Sequence, residues 1–327
     1  MPAAVSVIAP SRLHFGLWSL DTPGTRQFGG VGAMVDQPNL RLSLTDASHF
    51  QVSGANAGRV VEYAGRWAEF HHQPLPNCLL KIEATIPEHA GLGSGTQLAL
   101  ATAAGLNAFV GLPSQTPPEL ALSVGRGLRS AVGTYGFVFG GLVVEQGKLP
   151  DEPISPLDCR IDMPDAWRFV LVRPQGLMGL AGTQEIEAFA GLASTPQSVT
   201  EELIAMTRDG LVPAAATADF PTFAQTLYQY GRLSGEFFAT RQGGPYNGPV
   251  LTALVEQLRA RGHIGVGQSS WGPTIFVVLP SHAAATSLAN DLTTEGTPLD
   301  ITVTSPCNSG ARIEVAGRPR VELPIGD

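Results

Sequence analysis

Hydrophobic and polar positions alternate along much of the first half of the chain. "AVSVIAP" and "RLHFGLW" are short runs of β-formers, followed by the Gly-rich "GTRQFGGVGAMV". "LRLSLTD" and "CLLKIEATIP" alternate with the period of half-buried strands. The pattern then changes. Over residues 95–110 nearly every face is apolar (Leu98, Ala99, Leu100, Ala101, Ala103, Ala104, Leu106, Ala108, Phe109), which predicts a helix buried on most sides. A second helix is expected near 117–127, and "GFVFGGLVVEQG" reads as a strand or hairpin. Segment 149–167, rich in Pro and Asp, is the linker candidate. Beyond it come the strand "RFVLVRP", helical patterns near 197–208, 218–241 and 248–261, the buried strand "PTIFVVLP", the helix "HAAATSLANDLTTEG" and the strand "DITVTSP". Strands interleaved with helices, without regular β-α-β spacing, point to an α+β architecture.

Composition narrows the function classes. At 327 residues, 43% hydrophobic and 15% charged, the chain is long and apolar enough for two domains with buried cores. A net charge of −8 argues against a nucleic-acid partner, which would demand a basic face, but leaves room for a small anion in a local pocket. Cys78, Cys159 and Cys307 lie far apart with no metal-ligand spacing, as expected of free thiols in a reducing compartment. No apolar run reaches the roughly 18 residues of a membrane span. The start "MPAAVSVIAPSRLHFGLW" has no basic opening and carries Arg12 and His14, unlike a signal peptide. A cytoplasmic location with no membrane partner is the expectation.

The chemistry is concentrated in "IPEHAGLGSGTQLALATAAG", where Gly91, Gly93 and Gly95 precede the apolar helix. The first amides of a helix lack intrahelical acceptors and carry the positive end of the macrodipole. Missing Cβ atoms let a phosphate approach that backbone, with Ser94 and Thr96 as added donors. The alternative is a tight turn capped by Ser94 or Thr96. The spacing fits neither GxxxxGK[ST] nor a strand–GxGxxG–helix with a following acid.

"PEHAGLGSGTQLAL" resembles the second motif of the GHMP kinase superfamily, whose Gly-rich loop wraps nucleotide phosphates. "APSRLHFGL" resembles the first motif, and "GVGQSSWGPTIFVV" occupies the place of the third. The departures matter. "SRLHFGLW" lacks the Gly-Glu-His ending of the kinases, and no acidic residue occurs from Leu120 through Val144, where many of them carry a catalytic Asp. "SRLHFGL", "TRQFGGVG", "GLGSGTQ", "RSAVGTYGFVFGGLVV" and above all "GQSSWGPT" resemble one branch, the β-ribofuranosylaminobenzene 5′-phosphate synthases of tetrahydromethanopterin biosynthesis.

That resemblance implies a GHMP-type two-domain fold. A ribosomal-protein-S5-like β/α domain spans 1–155, and a ferredoxin-like α/β sandwich spans 165–327. It implies a transferase that joins phosphoribosyl pyrophosphate to a para-substituted benzoate (4-hydroxybenzoate or 4-aminobenzoate) with loss of CO2 and pyrophosphate. Mg2+ is expected on the diphosphate, ATP is not expected, and a homodimer is compatible with the fold. Catalytic candidates are His14, Arg26 and Arg129, the arginines for bidentate anion binding and the histidine for the acceptor's para substituent or a phosphate. Substrate and phosphate contacts are expected at Ser11, Arg12, Gly91, Leu92, Gly93, Ser94, Gly95, Thr96 and Gln97. A second group comprises Gln268, Ser269, Ser270, Trp271 and Gly272, small donors beside an aromatic that suit a benzoate. Arg126 and His89 are weaker candidates. Arg173 is expected near a glycine-containing loop that closes over the site, with Glu185 and Glu187 as acids at the start of the helix that follows. An ATP-dependent small-molecule kinase of the same fold is the alternative, and a silent ligand-sensing relative is a third reading.

Overall fold

The computed structural model describes residues 4–20, 26–179, 191–296 and 298–317. The strands are β1 (Ala4–Ser19), β2 (Phe28–Asp46), β3 (Gln51–Ser53), β4 (Cys78–Ala84), β5 (Leu142–Glu145), β6 (Leu157–Ile161), β7 (Arg168–Pro174), β8 (Val266–Gln268), β9 (Ile275–Leu279), β10 (Leu299–Thr304) and β11 (Arg312–Val315). The helices used below are α1 (Ala57–Phe70), α2 (Ser94–Val110), α3 (Pro117–Leu122), α4 (Val132–Phe139), α5 (Gln197–Ala205), α6 (Val212–Ala216), α7 (Phe220–Gly235), α8 (Ala239–Gln242), α9 (Gly248–Ala260) and α10 (His282–Thr294).

One sheet runs β11-β1-β2-β4-β3, with β5 also paired to β2 and β6 to β5; the second runs β10-β7-β9-β8. The long strand β2 makes this possible. Residues 40–46 pair with β1 and β4, whereas 30–33 pair with β1 and β5. The two short β-runs read at the N-terminus are a single strand, β1, interrupted by bulges at Ala9/Ser11 and His14/Gly16. A bulge bends a strand and re-aims its side chains. The second bulge falls at His14.

In the second sheet, alternation divides the side chains between two cores, because successive residues of a strand point to opposite faces. Phe169, Leu171, Phe276 and Val278 join the large core shared with the first sheet. Val170, Val172, Ile275 and Val277 face α9 and α10, against Leu251, Leu254, Leu258, Leu288 and Leu292. Helix α7 stitches the halves together. Its Phe223, Leu227 and Tyr230 are fully buried, the Tyr230 hydroxyl donates to the Gly16 carbonyl (2.9 Å), and the Ser234 hydroxyl donates to that of Leu17 (2.8 Å).

Three expectations are corrected. "VGTYGFVF" forms the helix α4 rather than a strand; a wholly buried apolar run carries no periodicity to tell the two apart, and left-handed Gly140 and Gly141 end it before β5. The linker segment 149–167 contains β6, which belongs to the first sheet. Strand β11, assigned with 165–327, returns to pair with β1 (Val5 opposite Val315), so the first sheet is completed by the C-terminal part of the chain. Helix α1 was not foreseen, although Val60, Tyr63, Ala64 and Trp67 follow helical spacing and are buried. Among the described residues no helix is long and apolar enough to cross a membrane.

Candidate active site

A cavity of ≈740 Å³ opens where the glycine loop, the His14 bulge, α7 and the loop before β9 meet. Its size suits a site that takes up small molecules. Helix α2 starts on this wall. Its N-terminal residue Gly93 is left-handed (φ 75°), and no side chain caps the helix, so the alternative of a Ser94 or Thr96 cap is not what the chain adopts. Leu92, Gly93, Ser94, Gly95 and Thr96 line the cavity. Gly91 is also left-handed (φ 76°), and a Cβ there would run into the carbonyls of Ser269 and Gly272.

The loop is pinned from behind. The Arg12 amide donates to the Leu92 carbonyl (3.0 Å). Ser269 Oγ accepts the His14 amide (3.0 Å) and donates to the Gly91 carbonyl (2.7 Å), while the Ser270 amide donates to the His14 carbonyl (3.0 Å). Three stretches distant in sequence thus share one short network. Two wall residues that are not glycine, His89 and Ser270, hold left-handed backbone (φ 53° each), a cost of about 1–3 kcal/mol each that concentrates at functional sites.

His14 lines the cavity yet is only 5% exposed. Burial, and secondly the neighbouring Arg12, hold its pKa well below the usual imidazole value, so it is neutral at pH 7. Its Nε2 lies 3.0 Å from Ser130 Oγ.

Arg12, Arg59, Arg126 and Arg129 line the cavity together with, among the described residues, a single glutamate, Glu88. In a chain of net charge −8 this is a concentrated positive field. Arg59 and Arg126 converge on the start of α2. An added Cβ on Gly95 would lie 2.5 Å from Arg59 Nη2 and 3.4 Å from Arg126 Nη2. Both guanidiniums donate to the Tyr63 hydroxyl, and Arg59 also pairs with Glu88 (2.5 Å). The wall also has an apolar, aromatic end, lined by Phe15, Leu17, Pro245, Phe238 and Trp271. Phe238 and Trp271 pack edge to face with centroids 4.6 Å apart. Gln268 steadies this end, accepting the Asn247 amide (2.8 Å) and donating to the Ser270 carbonyl (2.9 Å).

The expected residues therefore separate. Arg12, His14, Arg129, Gly91, Leu92, Gly93, Ser94, Gly95, Thr96, Gln268, Ser270, Trp271 and Gly272 share the cavity wall, with Arg126 and His89. Arg26 does not line it: its guanidinium is engaged in a two-pronged ion pair with Glu152 (2.5 and 2.9 Å). Ser11 is buried behind the wall, donating to the Pro38 carbonyl (2.6 Å). Gln97 is also buried, its Nε2 tying α2 to the Gly133 carbonyl (3.0 Å). Ser269 acts as the staple described above. Arg173 pairs with Asp300 (2.5 Å) away from the cavity, and Glu185 and Glu187 lie outside the described residues. Sequence reasoning missed Arg59, Tyr63, Ser130 and Phe238. The Arg59–Tyr63 pair had a signal, an i, i+4 spacing on the overlooked helix α1.

This arrangement, a glycine loop at an uncapped helix beneath the junction of two α/β halves, is that of the GHMP kinases. The model of the GHMP kinases N terminal domain matches residues 57–141, and that of the GHMP kinases C terminal domain matches 211–297. Together they span more than half of the chain, which belongs to the GHMP kinase superfamily. Among characterised relatives, the chain is similar to the β-ribofuranosylphenol 5′-phosphate synthase of Archaeoglobus fulgidus, 28% identical over 94% of this chain and 98% of that one. It is 29% identical to the enzyme of the same name from Methanothermobacter thermautotrophicus, over 82% of this chain and 87% of that one. The mevalonate pyrophosphate decarboxylase of Streptococcus pyogenes shares the fold, with a TM-score of 0.68 at 13% identity over 94% of this chain and 98% of that one.

Proposed function

We propose that the chain is a phosphoribosyltransferase that condenses phosphoribosyl pyrophosphate with 4-hydroxybenzoate or 4-aminobenzoate. CO2 and pyrophosphate are released, and the product is the aryl β-riboside 5′-phosphate that precedes tetrahydromethanopterin. The observation that carries this reading is the joining, in one cavity, of an arginine-lined, uncapped helix start to an aromatic end formed by Phe238 and Trp271. The name of the Archaeoglobus relative supports the same product class.

The chemistry makes separate demands. Departure of diphosphate places negative charge on a leaving group, and preorganised donors aimed at that charge lower the barrier. The amides of Ser94 and Gly95, with Arg12, Arg59 and Arg126, meet this need. The oxocarbenium left behind must be kept from water, which the apolar wall of Phe15 and Leu17 favours. The acceptor's ring stacks at the aromatic end, and its carboxylate-bearing carbon attacks C1 of the ribose. Among the described residues no cluster of three or more His, Cys, Asp or Glu side chains could cage a metal. A Mg2+ held mainly by the diphosphate and water, with Glu88 as the carboxylate on the wall, fits this donor set. When bound, it neutralises diphosphate charge. The proposal includes a cytoplasmic location and no nucleic-acid partner, in keeping with the negative net charge.

The test is direct. Purified protein given phosphoribosyl pyrophosphate, Mg2+ and 4-hydroxybenzoate without ATP should release CO2 and pyrophosphate in equal amounts. Consumption of ATP with a hydroxyl acceptor, and no turnover of the ribosyl donor, would assign a kinase instead.

A further inference from the structure

Glu145 has no part in the chemistry above, yet it is a carboxylate with 0% exposure. Burying such a group is costly unless hydrogen bonds replace the lost water. Its Oε2 accepts the Ala131 amide (2.7 Å) at the start of α4, and its Oε1 accepts Ser130 Oγ (2.5 Å). Burial still raises its pKa above the usual carboxylate value, against the pull of these donors.

The same Ser130 oxygen is 3.0 Å from His14 Nε2 and receives the Val132 amide (3.3 Å). A serine hydroxyl has one proton to give, and a carboxylate only accepts. The proton of Ser130 therefore points to Glu145, and Ser130 turns a lone pair to His14. His14 completes the chain only with its own proton on Nε2. No hydrogen bond among the described residues engages Nδ1.

We propose that Glu145, acting through Ser130, fixes His14 as the Nε2–H tautomer, leaving Nδ1 as a proton acceptor for the acceptor substrate's para-hydroxyl. Glu145 and Ser130 are positioning residues; His14 is the group that touches substrate. The logic is that of a carboxylate orienting an imidazole, here with a hydroxyl interposed. The tautomer rests on the hydrogen bonds alone, whereas its use rests on the proposed reaction. In that reaction the C1–O bond of the ribosyl donor breaks and pyrophosphate leaves with the bonding pair. The ring carbon bonds to C1, and the phenolic O–H bond breaks with its proton moving to Nδ1, giving a dienone. CO2 then leaves, the electron pair of its bond restores the aromatic ring, and the oxygen takes the proton back from Nδ1. The histidine ends neutral and no proton is consumed. The charged and titratable groups on this side of the fold are Arg12 on the same strand as His14, Arg129 on the cavity wall, Glu145 behind Ser130, and Tyr230 of α7, whose hydroxyl reaches the Gly16 carbonyl two residues on.

Long-range 1H–15N correlation spectra of 15N-histidine-labelled protein read the tautomer directly, with His14 assigned by its absence in His14→Gln. The expected wild-type state at pH 7.5 is Nε2–H. Glu145→Gln keeps an acceptor for Ala131 but presents an NH2 to Ser130, whose proton then turns toward His14; the spectrum should shift to the Nδ1–H form. Should that variant not fold, Ser130→Ala leaves the Glu145–Ala131 bond intact and should also abolish the Nε2–H preference. Both variants should lower kcat by about tenfold or more, as expected for a mis-set base, with KM for the ribosyl donor little changed and the acid limb of the pH profile moved. Retention of Nε2–H in both variants, or an Nδ1–H ring in the wild type, overturns the proposal. A wild-type protein that shows the Nε2–H ring but turns over no ribosyl donor would instead sink the proposed reaction, so the two failures are distinguishable.

Discussion

Substitution of Gly95 by alanine separates a binding role of the glycine loop from a purely structural one. Gly95 is the second residue of α2 and does not occupy the left-handed region. Alanine is intrinsically better in a helix by about 0.5–1 kcal/mol. The new methyl would lie 2.5 Å from Arg59 Nη2 and 3.4 Å from Arg126 Nη2, both at the ends of flexible side chains able to move aside. Moving Arg59 weakens its pair with Glu88, whose side chains are 35% and 37% exposed, and such partly exposed pairs contribute about 0–1 kcal/mol. The two effects nearly offset each other, so stability should stay within about 1 kcal/mol of wild type, read by urea unfolding. Binding should respond differently. The methyl occupies the space through which a diphosphate oxygen would reach the helix amides, and losing one charge-assisted hydrogen bond costs about 1.5–3 kcal/mol. That corresponds to roughly 10- to 150-fold weaker binding of phosphoribosyl pyrophosphate by calorimetry. A variant of unchanged stability that binds the donor as tightly as wild type would refute the argument that this backbone holds the diphosphate.

Further tests probe the other walls. Tyr63→Phe removes the acceptor shared by Arg59 and Arg126 and should weaken donor binding about three- to tenfold, the worth of one modest hydrogen bond, without altering KM for the benzoate. Phe238→Leu deletes one partner of the edge-to-face pair with Trp271; since such pairs contribute about 0.5–1.5 kcal/mol, KM for the aryl acceptor should rise about two- to tenfold while donor affinity holds. His14 contributes a pH dependence of known sign. Its pKa is depressed in the fold, so below the unfolded value of about 6.5 the unfolded chain binds the proton first and stability falls as pH drops. Melting temperatures of wild type and His14→Gln, compared between pH 7.5 and 5, should show a shallower acid loss in the variant; equal slopes would contradict a buried neutral imidazole.

Legibility in the sequence followed the physics of each element. Helix α2 was readable because three glycines precede a long apolar run, although the pattern alone left a capped tight turn open as well; residues 91–96 lie on the cavity wall. Arg26 was not readable, because its engagement depends on Glu152, 126 residues away. Nor was Ser11, which differs from its neighbour Arg12 only in which side of β1 it faces. Helix α4 was misread because every residue from Val132 through Val138 is buried, leaving no polar face to mark a period. The return of β11 to β1 is a long-range pairing, and local pattern carries no trace of it. Arg59 was hidden on a helix whose amphipathic signal was present but overlooked.

The arrangement of carboxylates also bears on which reaction the cavity favours. No acid occurs from Leu120 through Val144, and the next residue, Glu145, is turned inward to Ala131 and Ser130. Glu88, on the cavity wall, is paired with Arg59. Phosphoryl transfer to a hydroxyl is helped by a carboxylate that accepts the hydroxyl proton, whereas neither of these is free to do so. Transfer of a ribosyl group to a ring carbon asks for the reverse, strong stabilisation of a departing anion and only a weak base. In the proposed reaction, the four arginines of the cavity wall would supply the first and the neutral imidazole of His14 the second. On the reasoning that transition-state charge selects the catalyst, the distribution among the described residues supports the proposed ribosyl donor over ATP. Introducing a carboxylate at Ser130 (Ser130→Asp) beside His14 would then reduce ribosyl transfer without creating kinase activity, as paired assays of CO2 release and ATP consumption would read. Appearance of ATP-dependent phosphorylation in that variant would mean that the cavity needs only one carboxylate to act as a kinase site, and the distinction drawn from its charges would fail.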